Sequence, residues 1–312
     1  MNRFLTALFA SLLALPSFAT DPPQRTKIFS ICLVRFKSTD IEKATTFYSN
    51  ALGMRKNFGG CNGCFRVGEH QGVEIVPGGS SSSGSFLETI GFYVENLEQM
   101  RIYLTAHGID CAVVRSKRGE TPATISAFGG PGEYPTSLSV SDPEGHKLIF
   151  LEFPMLSGGS NQIDNAGQVS NRLIHVGFIV HDREATDHFY KDILGFHLYW
   201  QGGRKDDETD FVNMQVPDGT DWIEYMLNVP ADADHHTLGA MNHIALGVAD
   251  IKAAREQLIK NGWKPGEEPK IGRGGKWMLN LYDPDDTRVE FMEFTPTQKP
   301  CCSEYTGPHP KP

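Results

Sequence analysis

"LIHVGFIVHDREATDHFYKDILGF", residues 173–196, contains a complete strand-to-helix unit. Its first eight residues are almost all apolar, which is typical of a buried β-strand. Asp182 follows as a candidate helix N-cap, and the glycine of "LGF" fits the stop at the helix C-terminus. Because side chains alternate along a strand, Val176 and Phe178 would pack under the helix while His175 faces the other way. We therefore predict a strand and a helix, with a histidine on the face opposite the core.

The same unit recurs three more times. The other copies are "SICLVRFKSTDIEKATTFYSNALGM", "ETIGFYVENLEQMRIYLTAHGI" and "NHIALGVADIKAAREQLIKNGW". The glycines at the helix ends are Gly53, Gly108, Gly195 and Gly262. Shorter β-type runs such as "DWIEYML" and "RVEFMEF" lie between the copies, so each unit consists of a strand, a helix and about three strands. This pattern predicts an α+β fold of four βαβββ modules.

The modules occur in pairs. Units one and three share "FYSNALGM" and "FYKDILGF", and units two and four end in "SDPEGHKLIFLEF" and "YDPDDTRVEFMEF". The Gly/Ser/Asn-rich residues 155–171 separate the two pairs and are the predicted interdomain linker. The predicted domains therefore span residues 28–154 and 172–295. The Pro- and Lys-rich residues 296–312 are expected to form a disordered tail.

Charge and the N-terminal residues indicate where the protein acts. The formal net charge of -9 argues against a non-specific nucleic-acid binder, which needs a basic face. Residues 1–19 contain Arg3, an apolar run and small residues at Ser17 and Ala19, which predicts a signal peptide cleaved after Ala19. The run is shorter than the roughly 20 residues that span a bilayer. We expect a periplasmic or secreted protein with no nucleic-acid partner and, after cleavage, no membrane attachment.

Comparison of the two copies isolates candidate chemistry. The aligned positions, second copy first, are His175 and Leu33, His243 and Thr89, and Glu290 and Ile149. A carboxylate in place of a buried aliphatic side chain needs a reason, because burying an unpaired charge is costly. Glu224 joins the set from the last strand of the third module, and its counterpart in the first copy is Glu74. Two imidazoles and two carboxylates on four strands predict a divalent metal site formed by His175, Glu224, His243 and Glu290, rather than satisfied core histidines and solvated glutamates.

The segments that carry these residues resemble the vicinal oxygen chelate superfamily. They are "IHVGFIV", "FYKDILGF", "WIEYML", "NHIALGV" and "YDPDDTRVEF". That superfamily includes glyoxalase I, methylmalonyl-CoA epimerase, fosfomycin-resistance enzymes and extradiol dioxygenases. The resemblance covers residues 28–295 and implies paired modules that form cupped mixed sheets around one divalent ion (Zn, Ni, Co, Mn or Fe). The first domain, residues 28–154, would then be a degenerate, metal-free copy.

The order of the ligands is similar to glyoxalase I, which implies metal-dependent lyase or isomerase chemistry on a small carbonyl substrate. Glu224 or Glu290 would be the proton-transfer base. The resemblance also implies substrate contacts from Asn228 in "WIEYMLN" and from Arg273 and Lys276 in "RGGK". One chain holds all four ligands, so either a monomer or a homodimer is compatible with activity.

Two departures keep other functions open. The arginine with which glyoxalase I binds glutathione on its first strand is Ile179 here. An extradiol dioxygenase would bind Fe(II) through His175, His243 and Glu290. Its signature tyrosine is Asn280 in this chain, and its catalytic histidine is missing as well, so ring cleavage is the less favoured reaction. A non-enzymatic binder of a metal-chelating small molecule is a third hypothesis, which the intact ligand set disfavours.

Overall fold

The computed structural model describes residues 23–56, 63–78, 86–114, 137–152 and 166–312. The predicted signal peptide and residues 155–165 of the predicted linker lie outside this part of the chain, so those two predictions are not tested. The end of the linker is held in place, because Ser170 Oγ donates a hydrogen bond to the Gly247 carbonyl oxygen at 2.7 Å. Within the described residues, no helix has both the length and the apolar character needed to cross a bilayer.

The first half of the chain forms one mixed sheet. Its strands are β1 (Ile28–Ser38), β2 (Arg55–Lys56), β3 (Cys64–Arg66), β4 (Gly72–Pro77), β5 (Leu87–Val94), β6 (Ala112–Val114), β7 (Ser137–Ser141) and β8 (Lys147–Glu152). Their order is β2-β3-β4-β1-β5-β8-β7-β6. The first strands of modules one and two, β1 and β5, pair antiparallel at the centre, so the two modules share a sheet.

The second half repeats this arrangement. Its strands are β9 (Leu173–Ile179), β10 (His197–Gly202), β11 (Phe211–Gln215), β12 (Trp222–Met226), β13 (His243–Val248), β14 (Lys270–Ile271), β15 (Trp277–Tyr282) and β16 (Arg288–Glu293). The order is β10-β11-β12-β9-β13-β16-β15-β14, with β9 and β13 antiparallel at the centre. The predicted α+β fold, with cupped sheets each built from a pair of modules, is confirmed.

A helix follows the first strand of each module, and a fifth helix, His235–Met241, lies between the third and fourth modules. The helices are α1 (Ile41–Thr46), α2 (Leu97–Ala106), α3 (Arg183–Asp187), α4 (His235–Met241) and α5 (Ile251–Lys260), with π-helical turns at Phe47–Ala51 and His188–Ile193 after α1 and α3. The Asp182 side chain accepts a hydrogen bond from the Ala185 backbone N–H at 3.0 Å, as an N-cap does. The glycines that end the four module helices have φ values of 70°, 75°, 79° and 95°, which only glycine adopts without strain. Val176 and Phe178 are buried in the core as predicted.

The motifs shared by both copies join the two halves. Tyr190 of the second "FY" pair donates a hydrogen bond to Asp142 of the first "DP" motif at 2.8 Å. Reciprocally, Tyr48 of the first "FY" pair donates to Asp283 of the second "DP" motif at 3.3 Å. Both tyrosines are fully buried, so these bonds lie inside the interface between the halves. The residues common to the repeats therefore serve the packing of one half on the other.

The expectation of a disordered tail is wrong. Residues 296–312 pack beside β10. There the Thr306 backbone N–H donates to the Tyr199 carbonyl oxygen at 3.0 Å. Trp200 Nε1 also donates to the Cys301 carbonyl oxygen at 3.2 Å. Composition suggested disorder because proline and lysine are abundant here, but these bonds and the packing of Tyr305 on Tyr199 hold the segment against the sheet.

Candidate metal centre and adjoining cavity

Strand register brings the four candidate ligands onto one face of the second sheet. Gly177 of β9 lies opposite Glu224 on β12 and opposite His243 on β13. His175, two residues before Gly177, points to the same face because side chains alternate. Glu290 on β16 lies beside the residue two positions after His243 and therefore shares that face as well. Four neighbouring central strands thus contribute one candidate ligand each.

The ligand atoms converge. The Nε2 atoms of His175 and His243 are 3.1 Å apart. Glu224 Oε2 lies 3.1 Å from His243 Nε2 and 3.7 Å from His175 Nε2. Glu290 Oε2 is more distant, at 3.9 Å from His243 Nε2 and 4.0 Å from His175 Nε2. His175, Glu224 and His243 form the tightest group, and Glu290 borders it.

Burial controls the protonation of this group. It lowers the pKa of His175 well below the usual value, and burial together with the adjacent Arg288 guanidinium does the same to the pKa of His243. Both imidazoles are therefore neutral at pH 7 and have the lone pair that a metal needs. Burial raises the pKa of Glu290 to about 7, against the opposing effect of Arg288. The carboxyl group of Glu290 consequently exchanges its proton near neutral pH.

The donor set fits a first-row divalent ion. Metal–ligand bonds of about 2.0–2.2 Å place neighbouring ligand atoms roughly 3–3.5 Å apart, close to the separations among His175, Glu224 and His243. Glu290 Oε1 is buried and has no hydrogen-bond partner among the described residues. A buried carboxylate oxygen without a partner is costly, and a cation between the ligands would compensate its charge. The backbone carbonyl of Met241 lies 3.2 Å from His243 Nδ1, the usual outer partner of a metal-binding histidine.

Gly177 has a specific steric role. A Cβ atom at this position would lie 2.0 Å from His243 Cε1, so the histidine ring occupies the space that any other side chain would fill. The sequence showed a small residue beside His175 and suggested room for a bound group. In the structure that room is occupied by the imidazole ring of His243, and Gly177 thereby positions this candidate ligand.

Arg288 is a residue of the site that sequence reasoning missed. Its Nη2 lies 2.8 Å from His243 Nε2 and 2.9 Å from His243 Nδ1, and 4.0 Å from Glu290 Oε2. The available signal was its position, because Arg288 lies two residues before Glu290 and so on the same face of β16. Its guanidinium adds a fixed positive charge next to the carboxylates.

The first half has no such group of ligands. The residues at the four equivalent register positions are Leu33, Glu74, Thr89 and Ile149, as in the sequence alignment. Arg35 takes the place of Gly177, opposite both Glu74 and Thr89. Its Nε donates to Glu74 Oε2 at 3.1 Å, so a guanidinium compensates the carboxylate that remains. In the described part of the first half, no cluster of three metal-ligating side chains occurs.

A cavity of about 410 Å³ opens onto Glu224 and Glu290. Its wall includes Trp200, Phe211, Trp222, Met278, Met292 and Tyr305. Of the predicted substrate-binding residues, Arg273 and Lys276 line this cavity and Asn228 does not. The Asn228 amide instead donates to the Thr209 carbonyl oxygen at 3.1 Å and fixes a loop. The side chain of Arg273 is also engaged, since its Nε donates to the Gly203 carbonyl oxygen at 3.0 Å and its Nη2 pairs with Asp206.

Residues 172–291 match the model of the Glyoxalase/Bleomycin resistance protein/Dioxygenase superfamily. Residues 172–291 belong to this superfamily. The matched region contains all four candidate ligands and, except for the last two residues, the whole of the second sheet.

Known relatives agree with this assignment. The chain is 29% identical over 137 residues to a probable chloroplastic lactoylglutathione lyase of Arabidopsis thaliana, an alignment that covers 42% of this chain and 38% of the relative. It is 28% identical over 129 residues to the lactoylglutathione lyase of Haemophilus influenzae, which covers 41% of this chain and 96% of that protein. The chain thus spans about two fifths of the plant relative and nearly all of the bacterial one.

Both halves of the chain share their fold with a solved structure. The 2,3-dioxygenase LapB from Pseudomonas sp. KL28 superposes with a TM-score of 0.64 and 16% identity, covering 93% of this chain and 96% of LapB. At this identity the likeness concerns the fold alone. Together, the relatives support an enzymatic role for this chain without specifying its reaction.

Proposed function

We propose that the protein is a metal-dependent lyase or isomerase that transfers a proton on a small carbonyl substrate, in the manner of glyoxalase I. The observation that carries the proposal is the convergence of His175, Glu224 and His243, with Glu290 beside them, at the end of a cavity. A bound divalent ion would polarise a substrate carbonyl there and acidify the neighbouring C–H.

Each ligand residue has a role that follows from its environment. His175 and His243 are neutral and would hold the ion through Nε2, while Gly177 keeps the His243 ring in place. Glu224 or Glu290 would accept the substrate proton and return it to the adjacent carbon. The pKa of Glu290, about 7, matches that task, because a base works best when its pKa is near the working pH.

The geometry gives less support to the dioxygenase alternative. An Fe(II) triad of that type would consist of His175, His243 and Glu290. Here the tight group includes Glu224 instead, and Glu290 lies 3.9–4.0 Å from the histidine nitrogens. A fourth donor at Glu224 favours the four-ligand arrangement of glyoxalase I.

The reaction class is tested by isotope incorporation. The purified protein, loaded with Zn²⁺, Ni²⁺, Co²⁺, Mn²⁺ or Fe²⁺ in turn, is incubated in D₂O with the hemithioacetal of methylglyoxal and glutathione, and with phenylglyoxal. We expect deuterium in the product, and an activity loss of about 100-fold or more in Glu290→Gln. Glu293→Gln, on the opposite face of the same strand, is the matched control and should keep the activity. Oxygen uptake with catechols, without isomerisation, would overturn the proposal.

We further propose that the protein is exported, from the signal-like features of residues 1–19. Expression of the full chain in a bacterium, followed by fractionation and N-terminal sequencing, tests this. We expect a mature chain beginning at Thr20 in the periplasm or medium. An unprocessed chain in the cytoplasm would contradict the export proposal and leave the proposed reaction untouched.

A further inference from the structure

Lys276 differs from the other cations of the cavity. The wall also contains Arg204, Lys270, Arg273 and Arg288, each with a carboxylate oxygen within 4.0 Å. Within the described part of the chain, none of the ion pairs involves Lys276. Lys276 is nevertheless the most deeply placed of the five, with only 2% of its surface exposed. A buried, unpaired ammonium is costly unless it has a use.

Aromatic rings enclose this ammonium. Lys276 Nζ lies 4.9 Å from the centre of the Trp222 ring, 5.3 Å from that of Tyr305 and 5.5 Å from that of Tyr199. Among the described residues, Lys276 Nζ donates one hydrogen bond, to Tyr199 Oη at 3.3 Å. An ammonium has three N–H donors, so its capacity for hydrogen bonds is largely unfilled. The ring faces stabilise the cation only in part, and the cavity is the side from which an anion can reach it.

The C-terminal segment, residues 296–312, completes the enclosure. Tyr305 Oη donates to the Gly274 carbonyl oxygen at 2.9 Å, and His309 Nδ1 is hydrogen-bonded to Tyr199 Oη. Both residues lie beyond position 291, where the superfamily match ends. One of the three rings around Lys276, that of Tyr305, therefore comes from outside the matched region.

We propose that Lys276 Nζ, caged by Tyr199, Trp222 and Tyr305, binds a carboxylate group of the substrate. The inference rests on the proposed function in one respect, that the same molecule presents its carbonyl to the metal ligands. The Trp222 ring is adjacent to both ends, because its centre is 4.8 Å from that of the His175 ring and 4.9 Å from Lys276 Nζ. The substrate is accordingly an organic acid that carries a carboxylate in addition to its carbonyl, with an apolar part suited to the aromatic wall of the cavity.

Binding of simple probes tests the cage without turnover. Isothermal titration calorimetry of the full chain at pH 6 compares phenylacetate with phenylacetamide, its neutral counterpart, and with inorganic phosphate. We expect phenylacetate to bind at least about tenfold more tightly than either, since a charge-assisted hydrogen bond is lost with the amide. Lys276→Met should abolish this preference. Lys270→Met is the matched control, because Lys270 lines the same cavity but is exposed and paired with Glu267, and it should keep the preference.

Further variants distinguish loss of the carboxylate site from misfolding and from effects of the metal ligands. Lys276→Arg keeps the charge and should keep the preference for phenylacetate even if Lys276→Met does not fold. The preference should also persist in His243→Ala, because the cage does not depend on the metal ligands. Equal binding of phenylacetate and phenylacetamide by the wild-type chain, a preference unchanged in Lys276→Met, or stronger binding of phosphate would overturn the inference. Selective binding of phenylacetate without proton-transfer activity would refute the proposed function and leave the carboxylate site standing.

Discussion

The two halves of the chain have the same sheet and the same strand register, and they differ at the centre of the face that carries the site. At the position where the second half has Gly177, the first half has Arg35, which pairs with the buried Glu74. In the second half the equivalent carboxylate, Glu224, faces two histidines instead. Both halves therefore place a carboxylate inside a cupped sheet, where its negative charge must be compensated. In the first half a guanidinium compensates this charge, and in the second half the carboxylate belongs to a group of side chains that could hold a metal ion.

The comparison also shows which residues the fold requires. The "FY" and "DP" motifs are present in both copies, where Tyr48, Asp142, Tyr190 and Asp283 join the halves. Three of the four ligand residues, His175, His243 and Glu290, occur in one copy only, so folding does not explain them. Comparison of the two copies thus separates the residues needed for packing from the residues present for chemistry.

The largest effect is expected from breaking the ion pair of the first half. Arg35→Met leaves Glu74, whose side chain is 1% exposed, without its main counter-ion. We expect unfolding free energy to fall by about 3 kcal/mol or more, as when one partner of a buried pair is removed. Urea denaturation measures this loss. Glu88→Gln, which removes the outer partner of Arg35, should cost less than about 1 kcal/mol, and equal losses in the two variants would contradict the assigned role of Arg35.

In the second half, the position equivalent to Arg35 is Gly177, and the informative substitution there is Gly177→Ala. The added methyl group meets the His243 ring at 2.0 Å and must displace it. We expect the affinity for a divalent metal to fall about 10- to 100-fold, as for other changes that misorient a ligand. Titration with a fluorescent metal competitor measures the affinity. Undiminished binding by Gly177→Ala would show that His243 is not held as described.

A smaller effect is expected at the cage around Lys276. Tyr305→Leu removes one ring from Lys276 and admits water. We expect phenylacetate to bind about 3- to 10-fold more weakly, in line with one cation–π contact, while metal content stays constant. Glu304→Gln, at the exposed neighbouring position, is the control. Loss of metal in Tyr305→Leu would instead assign the C-terminal segment a role in the metal site.

The smallest effect is a pH dependence of probe binding. Burial lowers the pKa of Lys276 to about 7, so the ammonium is present below pH 7 and is lost above it, while phenylacetate stays ionised. Phenylacetate should therefore bind less tightly as the pH rises from 6 to 9. Three of the titratable groups that face Lys276 stay neutral over this range, because the pKa values of Tyr199 and Tyr305 are raised and that of His309 is lowered. The fourth, Glu290, has a pKa of about 7 and titrates in the same range as Lys276. In Lys276→Arg only the effect of Glu290 remains, and an identical pH profile there would contradict the assignment to Lys276.

Much of this architecture was predictable because the chain repeats itself. Apolar alternation, N-cap aspartates and stop glycines defined the modules, and the alignment of copies selected His175, His243 and Glu290 in the correct register. Arg288 was not found: alternation places it on the ligand face of β16, but alternation does not show that its guanidinium reaches His243. The packing of residues 296–312 was also missed, since composition reports average solubility and not the specific bonds of Tyr305 and Cys301.

The metal content of the purified chain tests the central claim most directly. Elemental analysis by mass spectrometry would compare the wild type with His243→Ala in the second half and with Glu74→Gln in the first. The account predicts about one divalent ion per chain in the wild type and in Glu74→Gln, and almost none in His243→Ala. Retention of the ion by His243→Ala, or its loss from Glu74→Gln, would contradict the assignment of the metal site to the second half.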